Sequence, residues 1–151
     1  MKFSLDIVIE APLEICAKKF NSTENMKHWQ RGLVAVEHLS GIPGEFGARM
    51  KLYFKIGKRQ VGIMETITHK NFPNEFHALY AAEELDNQQE NYFTATSENH
   101  TKWTCTSEFI PLSFKMRLML GLMPNTFKKQ TLQYMRDFKN FVEKGISVCV
   151  N

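Results

Sequence analysis

The feature that most constrains the fold is the last third of the chain, where a strand pattern gives way to a long amphipathic helix. Thr101–Phe109 alternates with the period of a half-buried strand. After an apolar link, apolar residues recur at three- and four-residue spacing from Asn125 to about Glu143. The apolar stripe of such a helix needs a covering surface. We therefore expect the preceding strands to form a curved sheet that grips the helix.

The first two thirds of the chain carry the pattern of strands and short turns, interrupted by two short helices. Lys2–Glu10 and Arg49–Ile56 alternate between apolar and polar residues, as strands with one buried face do. A helix is predicted to run from Pro12 to Phe20, and a second one should end near Trp29. Six strands are predicted after it, the first beginning at Val34 and the others covering Arg49–Ile56, Arg59–His69, Phe76–Ala82, Gln89–Thr96 and Thr101–Phe109. Because the links are short, these strands should form a meander.

The size and charge of the chain narrow the class of protein. Its 151 residues, 43% of them hydrophobic, can bury a sizeable core, so we expect one domain over residues 1–151 with a short tail at 146–151. The 19 basic and 16 acidic residues are spread out, without the basic block that marks nucleic-acid binding. No stretch approaches the roughly 18 consecutive apolar residues that span a bilayer. We therefore expect no nucleic-acid partner and no stable membrane insertion.

The N-terminus and the cysteines point to a reducing compartment. Lys2–Glu10 begins directly with an alternating strand and lacks the cationic and apolar regions of a signal peptide. Cys16, Cys105 and Cys149 are odd in number and far apart, and no Cys or His spacing is typical of a metal site. We therefore expect free thiols, no metal, no cofactor and a cytoplasmic location.

The order of the elements resembles a known family. One strand, two short helices, six strands and a long helix follow one another, with Pro12 opening the first helix, Trp29 closing the second, and Gly41–Gly47 before the third strand. Over nearly the whole chain this order is similar to the START-like or Bet v 1-like superfamily, specifically its bacterial polyketide cyclase-type (SRPBCC) members. The resemblance implies an α+β helix-grip fold. In it, a curved seven-stranded antiparallel sheet wraps around the C-terminal helix and leaves a cavity between them.

Two side chains are weak catalytic candidates, although the common enzymatic motifs are missing from the sequence. Glu65 shares a predicted strand face with Ile63 and Ile67, where a carboxyl group facing a cavity could transfer a proton. The structural alternative is a carboxylate bonded to a neighbouring strand. His38 is the second candidate, and an edge-strand histidine with a satisfied ring explains it as well.

A larger set of side chains is predicted to line the cavity. It combines residues on the strands, residues on the first half of the terminal helix and two methionines of the apolar link. The predicted ligand-binding residues are Phe54, Ile63, Glu65, Tyr80, Asn91, Phe93, Trp103, Met119, Met123, Phe127 and Tyr134. Each aromatic member is also compatible with an ordinary core position.

The apolar link Pro111–Pro124 allows three interpretations. Met116, Met119 and Met123 fall on one stripe of a short helix, which could close over the cavity as a lid, since thioether side chains repack easily. The helix could instead simply connect strand and helix by packing on the sheet. In the third interpretation the link contacts a membrane surface through its basic residues and inserts its methionines.

Three hypotheses for function follow. The first is a cofactor-free protein that binds a small hydrophobic or amphipathic molecule. Such a protein could also form a weak homodimer. The second is a cyclase-, dehydratase- or hydrolase-like enzyme that uses Glu65 or His38. The third is a co-chaperone-type interaction module that uses the outer face of the sheet. A cavity favours the first two, whereas a filled core with an exposed apolar patch favours the third.

Overall fold

The computed structural model describes residues 1–149 and contains one antiparallel sheet with four helices. The strands are β1 (Lys2–Ile9), β2 (Leu33–Ser40), β3 (Arg49–Ile56), β4 (Arg59–Asn71), β5 (Glu75–Ala81), β6 (Leu85–Ser97) and β7 (His100–Pro111). The helices are α1 (Leu13–Phe20), α2 (Met26–Trp29), α3 (Phe114–Leu122) and α4 (Pro124–Lys144). Within these residues no helix combines the length and hydropathy needed to cross a bilayer.

The sheet is a meander with its first strand added at the end. The strand order is β1-β7-β6-β5-β4-β3-β2, and every neighbouring pair is antiparallel. Six consecutive strands therefore pair with their neighbours in sequence, as predicted. β1 lies beside β7, where Phe3 is opposite Ser107 and Ile7 is opposite Trp103.

The core lies between the concave face of the sheet and α4. Phe138 on α4 is fully buried against Trp29, with ring centroids 4.9 Å apart, and against Trp103 at 5.3 Å. Phe20 at the end of α1 lies among these rings, 5.1 Å from the ring of Phe93. Aromatic rings at such distances pack edge to face and stabilise beyond their buried area. The predicted grip of the sheet on the terminal helix is thus confirmed.

The ends of α4 and its attachment follow from individual residues. Pro124 lies in its first turn, and Gly145 ends it with a φ of 67°, a conformation that costs glycine nothing. Asp137, which is 3% exposed, accepts two hydrogen bonds from the Arg31 guanidinium at 2.9 and 3.1 Å. This pair fixes the middle of α4 to the connection between α2 and β2.

Two details differ from the prediction. The strand predicted over Gln89–Thr96 begins earlier, because β6 starts at Leu85 and the chain turns where Ala82 N–H donates to the Leu85 carbonyl. The residues after Leu85 are polar, and such a run is typical of a loop. In this strand the interior face is lined by amide side chains, which a hydrophobic pattern does not reveal. The expected tail lies partly outside the described residues, and its first part contacts α2, where Val148 N–H donates to the His28 carbonyl.

Candidate functional site

Two cavities lie side by side between the sheet and the helices. The larger one, here called the main cavity, has a volume of about 210 Å³ and lies between the sheet and the first half of α4. The smaller one, the side cavity, has a volume of about 90 Å³ and lies between β2–β4 and the connection from α1 to α2. They share the lining residues Phe20, Trp29, Gln30 and Tyr80.

Four polar residues of the two cavities, His38, Glu65, Tyr80 and Asn87, fall on one row that crosses the sheet. Directly paired residues from β2 to β7 follow one another in the order His38, Met50, Glu65, Tyr80, Asn87 and Phe109. Side chains of directly paired residues point to the same face, so the whole row faces the helices. The side cavity takes the first half of this row and the main cavity the second, with Tyr80 lining both.

Glu65 is the buried acid of this row. It is 3% exposed, and desolvation raises the pKa of its carboxyl group to about 7, although a hydrogen bond with Tyr80 acts in the opposite direction. Burial raises the pKa of the Tyr80 hydroxyl well above its usual value, and the neighbouring Glu65 raises it further by a smaller amount. Tyr80 is therefore a hydrogen-bond donor at neutral pH, while Glu65 exchanges a proton near pH 7.

β6 presents a series of carboxamides to the interior. Asn87 and Gln89 line the main cavity, and Asn91 follows on the same face. The Asn87 Nδ2 donates to Ser107 Oγ at 2.7 Å, which leaves the Asn87 Oδ1 as an acceptor without a partner within residues 1–149. Asn87 is only 7% exposed, and a buried polar atom without a hydrogen bond is uncommon in a folded protein.

Trp29 provides the complementary donor. Its side chain lines both cavities and is 5% exposed, and its Nε1 has no hydrogen-bond partner within residues 1–149. A buried N–H without a partner typically lowers the stability of a fold by about 2 kcal/mol. Trp29 and Asn87, which carry these two unpartnered atoms, both line the main cavity, together with apolar side chains such as Leu52, Phe54 and Ile63.

Most of the predicted site residues line one of these cavities. Those in the main cavity are Phe54, Ile63, Tyr80, Trp103, Phe127 and Tyr134, and those in the side cavity are Glu65, His38 and again Tyr80. The rings of Phe127 and Phe109 are 5.1 Å apart and border the main cavity where α4 begins. Sequence reasoning missed Asn87, Gln130 and Thr131, which also line the main cavity. For Asn87 the signal was hidden by the misplaced start of β6.

Four predicted residues lie outside the lining of the two cavities that the described residues form: Asn91, Phe93, Met119 and Met123. Asn91 Oδ1 accepts a hydrogen bond from Trp103 Nε1 at 3.0 Å, and Phe93 stacks on the same indole at 5.6 Å. Both are fully buried supports of Trp103. Met119 lies on α3 and Met123 follows that helix, half-exposed, so neither covers the cavity as the lid interpretation required.

A further polar cluster lies on the β4–β5 hairpin, outside both cavities. Ligand atoms of His69, Glu75 and His77 lie within 4.8 Å of one another, a spacing that a metal ion could bridge. His69 Nε2 is 3.2 Å from Glu75 Oε2, and His77 Nδ1 accepts a hydrogen bond from the Asn91 N–H. One ring nitrogen of each histidine is therefore already engaged in a hydrogen bond within the protein.

Solved structures with the same architecture are numerous, whereas sequence comparisons find nothing. No protein-family model matches this chain, and no curated protein sequence resembles it. The aromatase/cyclase Zhui from Streptomyces sp. R1128 superposes with a TM-score of 0.75 at 11% identity, covering 95% of this chain and 94% of that one. For Ara h 8.0201 the TM-score is 0.73 at 12% identity, with 94% and 97% covered. For the ginseng major latex-like protein 151 from Panax ginseng it is 0.71 at 12%, with 92% and 95% covered.

These likenesses extend over nearly the whole of each chain, and at such low identity they concern the arrangement of the backbone. They agree with the seven-stranded antiparallel sheet, the short helices after β1 and the long α4 described above. The protein has the Bet v 1-like, SRPBCC-type helix-grip fold.

Proposed function

We propose that the protein binds a small amphipathic molecule in the main cavity. The observation that carries this proposal is that Trp29 and Asn87, in an otherwise largely apolar lining, each carry a buried polar atom without a partner within residues 1–149. A ligand with a hydroxyl or carbonyl group on an apolar body would satisfy such atoms, and a purely apolar ligand would not. The presence of a cavity also favours binding over an interaction module with a filled core.

The size of the cavity limits the ligand. With a volume of about 210 Å³, the cavity fits a small ligand, or part of a larger one, unless the walls move. The polar residues Gln30 and Gln130 also line the cavity and can bind further polar substituents.

The test is a titration of the native protein with an environment-sensitive apolar dye, followed by native mass spectrometry of protein purified from its own cells. Thr131 lines the main cavity, and within residues 1–149 its hydroxyl donates a hydrogen bond to the Phe127 carbonyl one turn earlier in α4. Thr131→Leu should therefore fill part of the cavity and weaken dye binding several-fold without unfolding the protein. A native protein that binds no dye and carries no ligand would contradict the proposal.

A second candidate function is a proton-transfer reaction in the side cavity, of the cyclase, dehydratase or hydrolase type. It is favoured by Glu65, whose carboxyl group is buried and has a pKa raised to about 7, and by the neighbouring Tyr80. The similarity in fold to an aromatase/cyclase is consistent with it. Once a ligand has been identified, its affinity and its turnover can be measured for Glu65→Gln. If this candidate is correct, the variant should keep the affinity and lose the turnover. Unchanged turnover would contradict it.

A further inference from the structure

α3 presents an apolar stripe to the outside of the molecule. Phe114, Leu118 and Leu122 are four residues apart, so they lie on one side of the helix, and they are 79%, 53% and 72% exposed. The opposite side faces the protein, where Leu120 is buried. Leu112 before the helix and Met123 after it are also exposed. Contiguous exposed apolar side chains of this kind usually mark an interaction surface.

The same segment is strongly basic. Residues 109–136 contain five basic residues and no acidic one, namely Lys115, Arg117, Lys128, Lys129 and Arg136. Without these five, the chain has 14 basic against 16 acidic residues, so the net charge of +3 arises entirely from this segment. All five basic residues are exposed. The β5–β6 turn lies beside the start of the segment, where the Glu84 carbonyl accepts from the Leu112 N–H at 2.8 Å.

The combination of stripe and charge discriminates between occupants. A second copy of this chain docked through the same stripe would bring Lys115 and Arg117 of both copies together, without an acidic residue in α3 to compensate, which is electrostatically unfavourable. An anionic bilayer satisfies both features, because apolar side chains enter the headgroup boundary while lysines and arginines contact the lipid phosphates. Each basic residue near such a surface strengthens the attraction, and added salt screens it.

We propose that α3 docks the protein on the surface of an anionic lipid bilayer, with Phe114, Leu118 and Leu122 inserted and Lys115 and Arg117 at the headgroups. α3 joins β7 to α4, and these two elements contribute Phe109 and Phe127 to the border of the main cavity. Docking would bring that end of the cavity near the lipid. The proposal concerns the outer surface and does not require that the cavity is occupied.

The experiment is co-sedimentation with vesicles of phosphatidylcholine alone and with vesicles to which phosphatidylserine has been added. Wild-type protein should bind the phosphatidylserine vesicles preferentially, and added salt should weaken the binding. L118Q/L122Q should lower the affinity roughly tenfold or more, since it removes two inserting side chains. K115Q/R117Q should abolish most of the preference for phosphatidylserine. It also serves as an independent test if the leucine variant is unstable.

The matched control is I42Q/F46Q, which removes two apolar side chains with exposures of 72% and 73% from the β2–β3 connection. It should bind vesicles like the wild type. The proposal is overturned by absence of vesicle binding, by an equal loss in the control, or by a dimer in sedimentation that L118Q/L122Q converts to a monomer. Melting curves and dye binding of each variant show that the fold and the main cavity are intact.

Discussion

Glu65 and Tyr80 lie directly opposite each other on β4 and β5, and both point into the space between sheet and helices. The acid is thus buried beside the Tyr80 hydroxyl. Burial raises the pKa of the acid by more than the hydrogen bond with this hydroxyl lowers it. This relationship makes Glu65 the part of the candidate site whose behaviour depends most directly on pH.

The first prediction concerns Glu65 and stability. Its pKa is about 7 in the folded protein and near 4.5 in the unfolded chain, so the unfolded state loses the proton first. The contribution of Glu65 to folding stability is therefore fully present below pH 4.5 and is lost as the pH rises to about 7, by on the order of 3 kcal/mol. Glu65→Gln removes this loss. Its advantage over the wild type in free energy of unfolding should grow across that range and then level off, as urea unfolding at several pH values can show.

The exposed Glu98 in the turn between β6 and β7 provides the control for that experiment. Glu98→Gln should leave the pH dependence of the wild type unchanged. If Glu65→Gln lowers stability at every pH, the carboxylate is a structural partner of Tyr80, and the proposed titration is wrong.

A second prediction concerns the attachment of α4. Arg31→Met removes the two hydrogen bonds to Asp137 and leaves a carboxylate that is 3% exposed without its cation. The loss should be about 2 kcal/mol, less than for a fully buried pair because the Arg31 side chain is 58% exposed. Chemical denaturation measures it. The double variant R31M/D137N should recover part of the loss, and failure to do so would mean that the ion pair is not what destabilises the single variant.

A third prediction separates cavity lining from the apolar link. M119Q/M123Q changes two residues that lie outside the lining of both cavities, so dye binding should be unchanged. Asn87→Leu, in contrast, removes a polar group of the main cavity and should change affinity for polar and apolar dyes in opposite directions. Equal weakening by both variants would restore the lid interpretation of the methionines.

A fourth prediction concerns thiol reactivity. Burial raises the pKa of Cys105 to about 12 and also raises that of Cys16, so neither forms a thiolate readily in the folded protein. Both should therefore react with a thiol reagent only after unfolding. Reaction of Cys105 in the native protein, identified by peptide mapping, would show that reagent enters the main cavity, which Cys105 lines.

The fold was predictable because period-two and helical patterns are long and regular in this chain. Phe3, Trp103 and Phe138 fall on the predicted inner faces because each lies within such a pattern. The candidate site was harder to predict from the sequence than the fold. β6 lines the interior with Asn87, Gln89 and Asn91, and a run of amides carries no hydrophobic period from which the start of the strand can be located.

α3 shows a second limit of sequence patterns. Its residues form two overlapping apolar stripes, one with Met116 and Met119 and one with Phe114 and Leu118, and both satisfy helical spacing. Spacing alone cannot tell which stripe faces the protein. That choice depends on the connection to β7, where the Ser113 hydroxyl caps the helix by accepting from the Met116 N–H at 3.1 Å.

The position of β1 beside β7 also governs how the chain is made. Lys2 is opposite Glu108, so the first strand waits for a partner that follows about a hundred residues later. At roughly 5–20 residues per second, a ribosome needs about 5–20 seconds to synthesise that interval. Throughout it, Phe3, Leu5 and Ile7 have no sheet to join. The nascent chain is therefore exposed to association with other molecules until β7 emerges, and chaperone protection of its N-terminal strand is most valuable during that interval.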